Sequence, residues 1–145
     1  MSNNRSMPPG VIIPELPYLD VVEAANWLCR TFGFRKRLQI GNHRFQLSFG
    51  EGAIVVTQKD SKSNTVCTVM VSVTDVDKHY EHAKQAGAYI ISQPTDYFYG
   101  ERQYVVEDPG GHRWTFSQTI ADVDPQSWGG NLFEQTGSHQ KHLEP

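Results

Sequence analysis

Apolar and polar positions along the chain form two successive runs of the same kind. Val11 to Tyr18 reads as an extended segment. Pro14 and Pro17 cannot donate to a sheet ladder, so the segment is expected to be an edge strand or one with an open side. Asp20 is a helix N-cap with Glu23 three residues on, and Val21, Ala24, Ala25, Leu28 and Phe32 recur at helical spacing up to Gly33. Phe34 to Ile40, His43 to Phe49 and Ala53 to Gln58 alternate as strands, separated by turns at Gly41-Asn42 and Gly50-Glu51-Gly52. A polar linker, Lys59 to Asn64, precedes a second run. Val66 to Val73 is a strand, Asp75 an N-cap, and Val76, Tyr80 and Ala83 mark a helix face that ends at Gly87. Tyr89 to Ser92 is a short strand, Pro94 to Gly100 a loop, and Glu101 to Glu107 a strand. Asp108-Pro109-Gly110-Gly111 is a turn, and His112 to Gln118 the last strand.

Both runs read strand–helix–strand–strand–strand. Asp20 matches Asp75, Gly33 matches Gly87, Gly41 matches Gly100 and Gly50 matches Asp108, at offsets of 55, 54, 59 and 58 residues. A repeat of that size points to duplication. Neither half, at roughly 50 residues, is large enough to bury its own apolar sheet face, so the two are expected to pack as one α+β domain. Residues 1–10 are polar and Pro-rich and are expected to form a loose tail. They lack the apolar stretch of a signal peptide. Residues 119–135 mix Ile, Val, Trp, Leu and Phe with Asp, Pro and Gly, which predicts an irregular packed segment; residues 136–145 are expected to be disordered.

Composition narrows the function classes. The net charge is −3 with acids and bases scattered, so nothing resembles a nucleic-acid-binding stripe. There is no 18-residue apolar stretch of the kind that spans a membrane. Cys29 and Cys67 do not make a disulfide framework. Reduced thiols near the core are the expected state, and with them a cytoplasmic location. No G-x-S-x-G, P-loop or G-x-G-x-x-G occurs. His79 and His82 lie among Lys78, Glu81 and Lys84 and read as a solvated pair. His43 and His112 begin strands after turns and read as structural, with a pocket-rim role open to His112. Trp27 and Trp128 read as packing residues, and His139 and His142 fall in the tail.

Three segments carry a family resemblance. Residues 18–34 (YLDVVEAANWLCRTFGF), 71–88 (VSVTDVDKHYEHAKQAGA) and 99–118 (YGERQYVVEDPGGHRWTFSQ) resemble vicinal-oxygen-chelate proteins: glyoxalase I, extradiol dioxygenases and bleomycin-resistance proteins. The closing hairpin is most like the bleomycin-resistance and PhnB-like branches. The resemblance covers about residues 11–118. It implies a glyoxalase/bleomycin-resistance fold, two βαβββ modules (residues 11–58 and 66–118) forming a cupped mixed sheet, usually in a homodimer. In the metal enzymes of the superfamily, His, Glu or Gln on the first and last strands of each module hold a divalent ion that acts as a Lewis acid. Carried over, those positions fall on Ile13, Val56, Thr68 and Thr115, none of which suits a divalent ion. A slip of two residues gives Glu15, Gln58, Met70 and Ser117, of which Glu15 and Gln58 are a weak alternative metal pair.

No cofactor is therefore expected, and a divalent metal is the alternative. The leading expectation is a small-molecule-binding protein that sequesters a planar or aromatic compound. Its candidate ligand residues are Phe45, Phe49, Tyr97, Phe98, Tyr99, Arg102, Tyr104, His112 and Trp114. The alternatives are a metal-dependent lyase, isomerase or dioxygenase with rearranged ligands, and a non-catalytic interaction protein on the same fold.

Overall fold

A computed structural model describes residues 4–62 and 64–133. Module 1 contains β1 (Glu15–Tyr18), α1 (Val21–Phe32), β2 (Arg35–Ile40), β3 (Arg44–Phe49) and β4 (Gly52–Gln58). Module 2 repeats it with β5 (Thr68–Ser72), α2 (Val76–Gln85), β6 (Tyr89–Tyr97), β7 (Glu101–Glu107) and β8 (Arg113–Thr119). Each module makes a four-stranded mixed sheet, ordered β1-β4-β3-β2 and β5-β8-β7-β6. In both, the first strand lies parallel to the fourth and the other pairs are antiparallel. The two-module α+β fold expected from the sequence is the fold observed.

Local chemistry sets the helix ends. The Asp20 carboxylate accepts from Glu23 N at 3.0 Å, and Asp75 accepts from Lys78 N at 3.0 Å, each satisfying a free amide of the first turn. Gly33 closes α1 at φ 92°, a left-handed conformation that costs glycine nothing.

Alternation along the strands divides each sheet into an inner face, towards the helices, and an outer face. The inner faces carry Leu16, Phe45, Leu47, Ile54 and Val56 in module 1, and Tyr104, Val106, Trp114 and Phe116 in module 2, all buried in one core with both helices. Phe32, at the end of α1, bridges the modules, with its ring 5.4 Å from Trp114 and 4.8 Å from Phe116. A polar latch completes the seam. Asp108 is 4% exposed yet accepts from Tyr18 Oη (2.6 Å), Trp114 Nε1 (2.9 Å) and the amides of Gly110 (2.9 Å) and His112 (3.0 Å). His112 takes the Cys67 amide on Nδ1 and donates from Nε2 to the Pro17 carbonyl, at 2.9 and 2.8 Å.

Several boundaries differ from the sequence reading. β1 starts at Glu15 rather than Val11, although Pro14 O still accepts from Val55 N. β6 runs on to Tyr97 where a loop was expected. It is an edge strand, so Pro94 removes no ladder bond it needs, and register shifts absorb the irregularity. The expected loose tail is also corrected in part: Arg37 donates to Arg5 O at 3.1 Å and Gln46 to Ser6 O at 2.7 Å, so this stretch rests on the outer face of sheet 1. Residues 120–133 leave β8 and make one 3-10 turn, Pro125–Trp128. The expectation for 136–145 lies outside the described residues.

Candidate ligand-binding site

The outer face of sheet 2 is exposed along its edge strands β5 and β6 and half-buried to buried between them. Register places Met70, Thr115 and Val105 in one row across it and Ser72, Ser117, Gln103 and Thr95 in the next. Met70 is 66% exposed. The second row is wired by a directed chain of hydrogen bonds. Tyr99 Oη donates to Gln103 Oε1 (3.1 Å), Gln103 Nε2 to Ser117 Oγ (3.0 Å), and Ser117 Oγ to Glu101 Oε1 (2.5 Å). Thr119 Oγ1 donates to the other Glu101 oxygen at 2.6 Å. Gln103 and Ser117 are buried, and pairing them this way avoids the cost of an unsatisfied polar group.

Beside this network stands an aromatic quartet. The rings of Tyr97 and Tyr99 stack with centroids 5.5 Å apart and 10° between planes. Trp128 packs against Phe98 and Tyr99, both at 5.9 Å. Phe98 is 69% exposed and Trp128 44%, so the rings present apolar area to solvent. Trp128 was read from sequence as packing only. A short 3-10 turn capped by Asp124 and opened by Pro125 carries it to the quartet.

The predicted ligand residues separate into groups. Tyr97, Phe98 and Tyr99 come together in the quartet. Phe45, Tyr104 and Trp114 are buried on the inner faces, although Trp114 also borders a hollow between the modules. Phe49 is half-buried and lines two hollows along that seam. His112 is fully buried in the latch, which corrects the pocket-rim option. Arg102 lies on the α2 side, paired with Asp77 (3.0 Å) and Asp96 (2.9 Å).

The solvated reading of His79 is also corrected. Its Nε2–H donates to the Phe32 carbonyl at 2.8 Å, so Nδ1 accepts from Tyr104 Oη at 2.6 Å, and its ring lies 4.1 Å from Phe116. Burial lowers its pKa below the ordinary 6.5. Val76, His79, Tyr80 and Ala83 share one helical face, a spacing that would have placed His79 inward. His82 is exposed and meets the Arg30 carbonyl at 2.7 Å. Burial pushes the Tyr18 and Tyr104 hydroxyls and the free Cys29 and Cys67 thiols up from their ordinary pKa values, which disfavours reactive thiolates.

The family's metal positions can be tested on donor chemistry. Val56 is 0% exposed and on the inner face, so it faces the core rather than the cup. Thr68 and Thr115 do lie on the outer face, with Met70 and Ser117 as their two-residue alternatives. Glu15 pairs in register with Val55 and Gln58 with Tyr18, which sets their side chains on opposite faces of sheet 1 and removes that alternative pair. Glu15 lies 3.6 Å from Arg44, and Gln58 donates to Leu19 O at 2.9 Å. No group of three His, Cys, Asp or Glu able to hold a metal occurs among the described residues. The residues present do not fit the superfamily's divalent ion.

Comparison with known proteins agrees with this architecture. A solved structure of TioX from Micromonospora sp. ML1 superposes with a TM-score of 0.67 at 33% identity, covering 79% of this chain and all of that one (100%). TnmS3, an antibiotic binding protein from Streptomyces sp. CB03234, superposes with a TM-score of 0.66 at 20% identity, over 76% of this chain and 95% of TnmS3. Among curated relatives, the uncharacterized protein Mb0911c of Mycobacterium bovis is 38% identical over 64 residues, which is 44% of this chain and 42% of that protein. The chain therefore matches about two fifths of that relative's length. A family profile described as Glyoxalase/Bleomycin resistance protein/Dioxygenase superfamily matches residues 14–116, and the chain belongs to that superfamily.

Proposed function

We propose that this chain binds a flat aromatic small molecule on the outer face of sheet 2, without metal chemistry, and that a second copy closes over the bound compound. The observation that carries this reading is the quartet Tyr97, Phe98, Tyr99 and Trp128, with Phe98 and Trp128 69% and 44% exposed, beside the half-buried Glu101 that the Gln103–Ser117 row holds in place. Rigid aromatic area next to a few fixed polar groups suits a planar ligand with hydrogen-bonding edges. TnmS3, which shares the fold, is an antibiotic binding protein, in keeping with a small-molecule ligand here. The outer face carries Thr68, Met70, Thr115 and Ser117 where metal enzymes of the superfamily carry ligands, which favours binding over Lewis-acid catalysis.

The test is a fluorescence titration with bleomycin and with a soluble anthraquinone, read through tryptophan, alongside sedimentation of the free and loaded protein. Saturable quenching with Kd on the order of 10 μM or tighter is expected. Phe98→Ala and Trp128→Ala, the latter read by calorimetry, should each weaken binding about tenfold, since an aromatic contact is worth ~1 kcal/mol or more. Sedimentation should show a dimer. Absence of saturable binding by any planar compound, or equal affinity in both variants, would remove the proposal.

A further inference from the structure

A hollow lies where the end of α1, the β3–β4 turn and the start of α2 meet. Its volume is about 570 Å³, and a smaller hollow of about 320 Å³ continues from it along the module seam, the two sharing Phe49 and Ser72. That volume suits a small organic molecule. Phe32, Phe49 and Val73 give the larger hollow apolar walls.

The polar groups around it fall into two kinds. Asp75 is committed to the helix cap, His79 uses both ring nitrogens, and His82 is engaged by Arg30 O. The side chains of Ser72, Thr74 and Lys78 line the hollow and make no hydrogen bond or ion pair among the described residues. Apolar walls with two free hydroxyls and one free ammonium group are complementary to an apolar body bearing an anionic head. A carboxylate would accept charge-assisted hydrogen bonds from Lys78 and neutral ones from the hydroxyls. The nearest competing anion, Asp75, has one oxygen held by the Lys78 amide, so its charge is partly offset by the helix terminus.

We infer that this seam hollow is a separate binding site for a small aryl carboxylate, its ring against Phe49 and Val73 and its carboxylate at Lys78. The hollow shares no residue with the quartet but reaches the outer face of sheet 2 at Ser72, in register with Ser117, and amide shifts distinguish the two sites.

The probe is 2-naphthoate, with 2-naphthylmethanol as its uncharged counterpart, followed by amide chemical shifts of the 15N-labelled full chain. The naphthoate shifts should be saturable and centred on Gly50 and residues 72–82. Lys78→Gln, at an exposed position, should weaken 2-naphthoate about tenfold and leave 2-naphthylmethanol unchanged, as expected for loss of one charge-assisted contact. Phe49→Ala should weaken both. The inference is overturned if the shifts centre on residues 97–99 and Trp128 instead. It is equally overturned if nothing saturates by about 5 mM, the weak end of specific binding, or if Lys78→Gln binds naphthoate as the unaltered chain does.

Discussion

The same row of the duplicated sheet is covered to different degrees in the two modules. In sheet 1, Glu15, Val55 and Gln46 lie side by side on the outer face, and in sheet 2 the topologically matching row is Met70, Thr115 and Val105. Val55 and Gln46 are 4% and 5% exposed, and Gln46 bonds to Ser6 of the chain's own N-terminal stretch, whereas their counterparts Thr115 and Val105 are half-buried; Glu15 and Met70, on the edge strands, are exposed in both. The middle of this row is covered by the chain's own N-terminal stretch in module 1 and is only half-buried in module 2. The turns diverge in the same way. Gly50, which matches Asp108, sits in an open turn, whereas Asp108 reaches across the seam to Tyr18. Duplication supplied two equivalent scaffolds. Divergence at a few positions made module 1 the half covered by the N-terminal stretch and module 2 the half that fastens to it.

The sharpest way to break this comparison is to remove the fastening. Asp108→Ala would strand four donors in a buried site, and the expected cost is on the order of 4 kcal/mol. Glu51→Ala, in the matching but exposed turn, should cost under about 0.5 kcal/mol. Urea unfolding measures both. A loss below about 1 kcal/mol for Asp108→Ala would mean the modules hold together by apolar packing alone.

A smaller contrast comes from the matched turn glycines. Both have positive φ, 52° at Gly41 and 91° at Gly100, so alanine is strained at either. Space separates them. A Cβ on Gly100 would stand 2.2 Å from the Ala121 carbonyl oxygen, which is backbone, whereas one on Gly41 meets only the His43 ring at 3.1 Å. Gly100 also holds the exit of β8 by accepting from the Ile120 amide at 2.8 Å. Gly100→Ala should therefore cost about 2 kcal/mol more than Gly41→Ala and loosen the chain leading to Trp128. Thermal melts of the pair check the difference, and equal costs would show that the residues after β8 give way without penalty.

How much of this could be read from sequence follows from how local each cause is. The N-caps, Gly33 and the strand alternation rest on neighbours within a few residues, and the fold followed from them. The aromatic quartet was partly legible, because Tyr97, Phe98 and Tyr99 are adjacent. Trp128 joins them through a turn about thirty residues away, which no periodicity displays. The run Ile54-Val55-Val56 is uniformly β-branched, so sequence did not say which residue faces the core. The metal position carried to Val56 was thereby placed on the wrong face. Docking of the N-terminal stretch depends on Arg37 and Gln46, polar groups whose partners are backbone carbonyls more than 30 residues away. His79 was hidden by its neighbours: three charged side chains around it outweighed the apolar face it shares with Val76, Tyr80 and Ala83.

His79 also offers the finest test of how the modules differ. Four residues after each N-cap aspartate, module 1 has the buried Ala24 and module 2 has His79, half-buried with its ring 4.1 Å from Phe116. Only module 2 thus carries a titrating group there. Burial is the main cause of its lowered pKa, with the nearby His82 adding a little and the Phe32 carbonyl opposing. Because the folded pKa lies below the unfolded 6.5, the unfolded chain binds the proton more readily. The neutral imidazole's contribution is complete above pH 6.5 and is lost as pH falls from there towards the folded pKa. The added slope is at most about 1.4 kcal/mol per pH unit, and less in practice because the ring is only half-buried. Carboxylates contribute in the same range, so the informative quantity is the difference between the unaltered chain and His79→Gln, which keeps a donor for Phe32 and an acceptor for Tyr104. Unfolding free energies from pH 5 to 7.5 should converge as the pH is lowered, with the unaltered chain the more stable at the top. Parallel curves would mean that Tyr104 and Phe32 accommodate the imidazolium, and that the duplicated helices differ in shape but not in their response to protons.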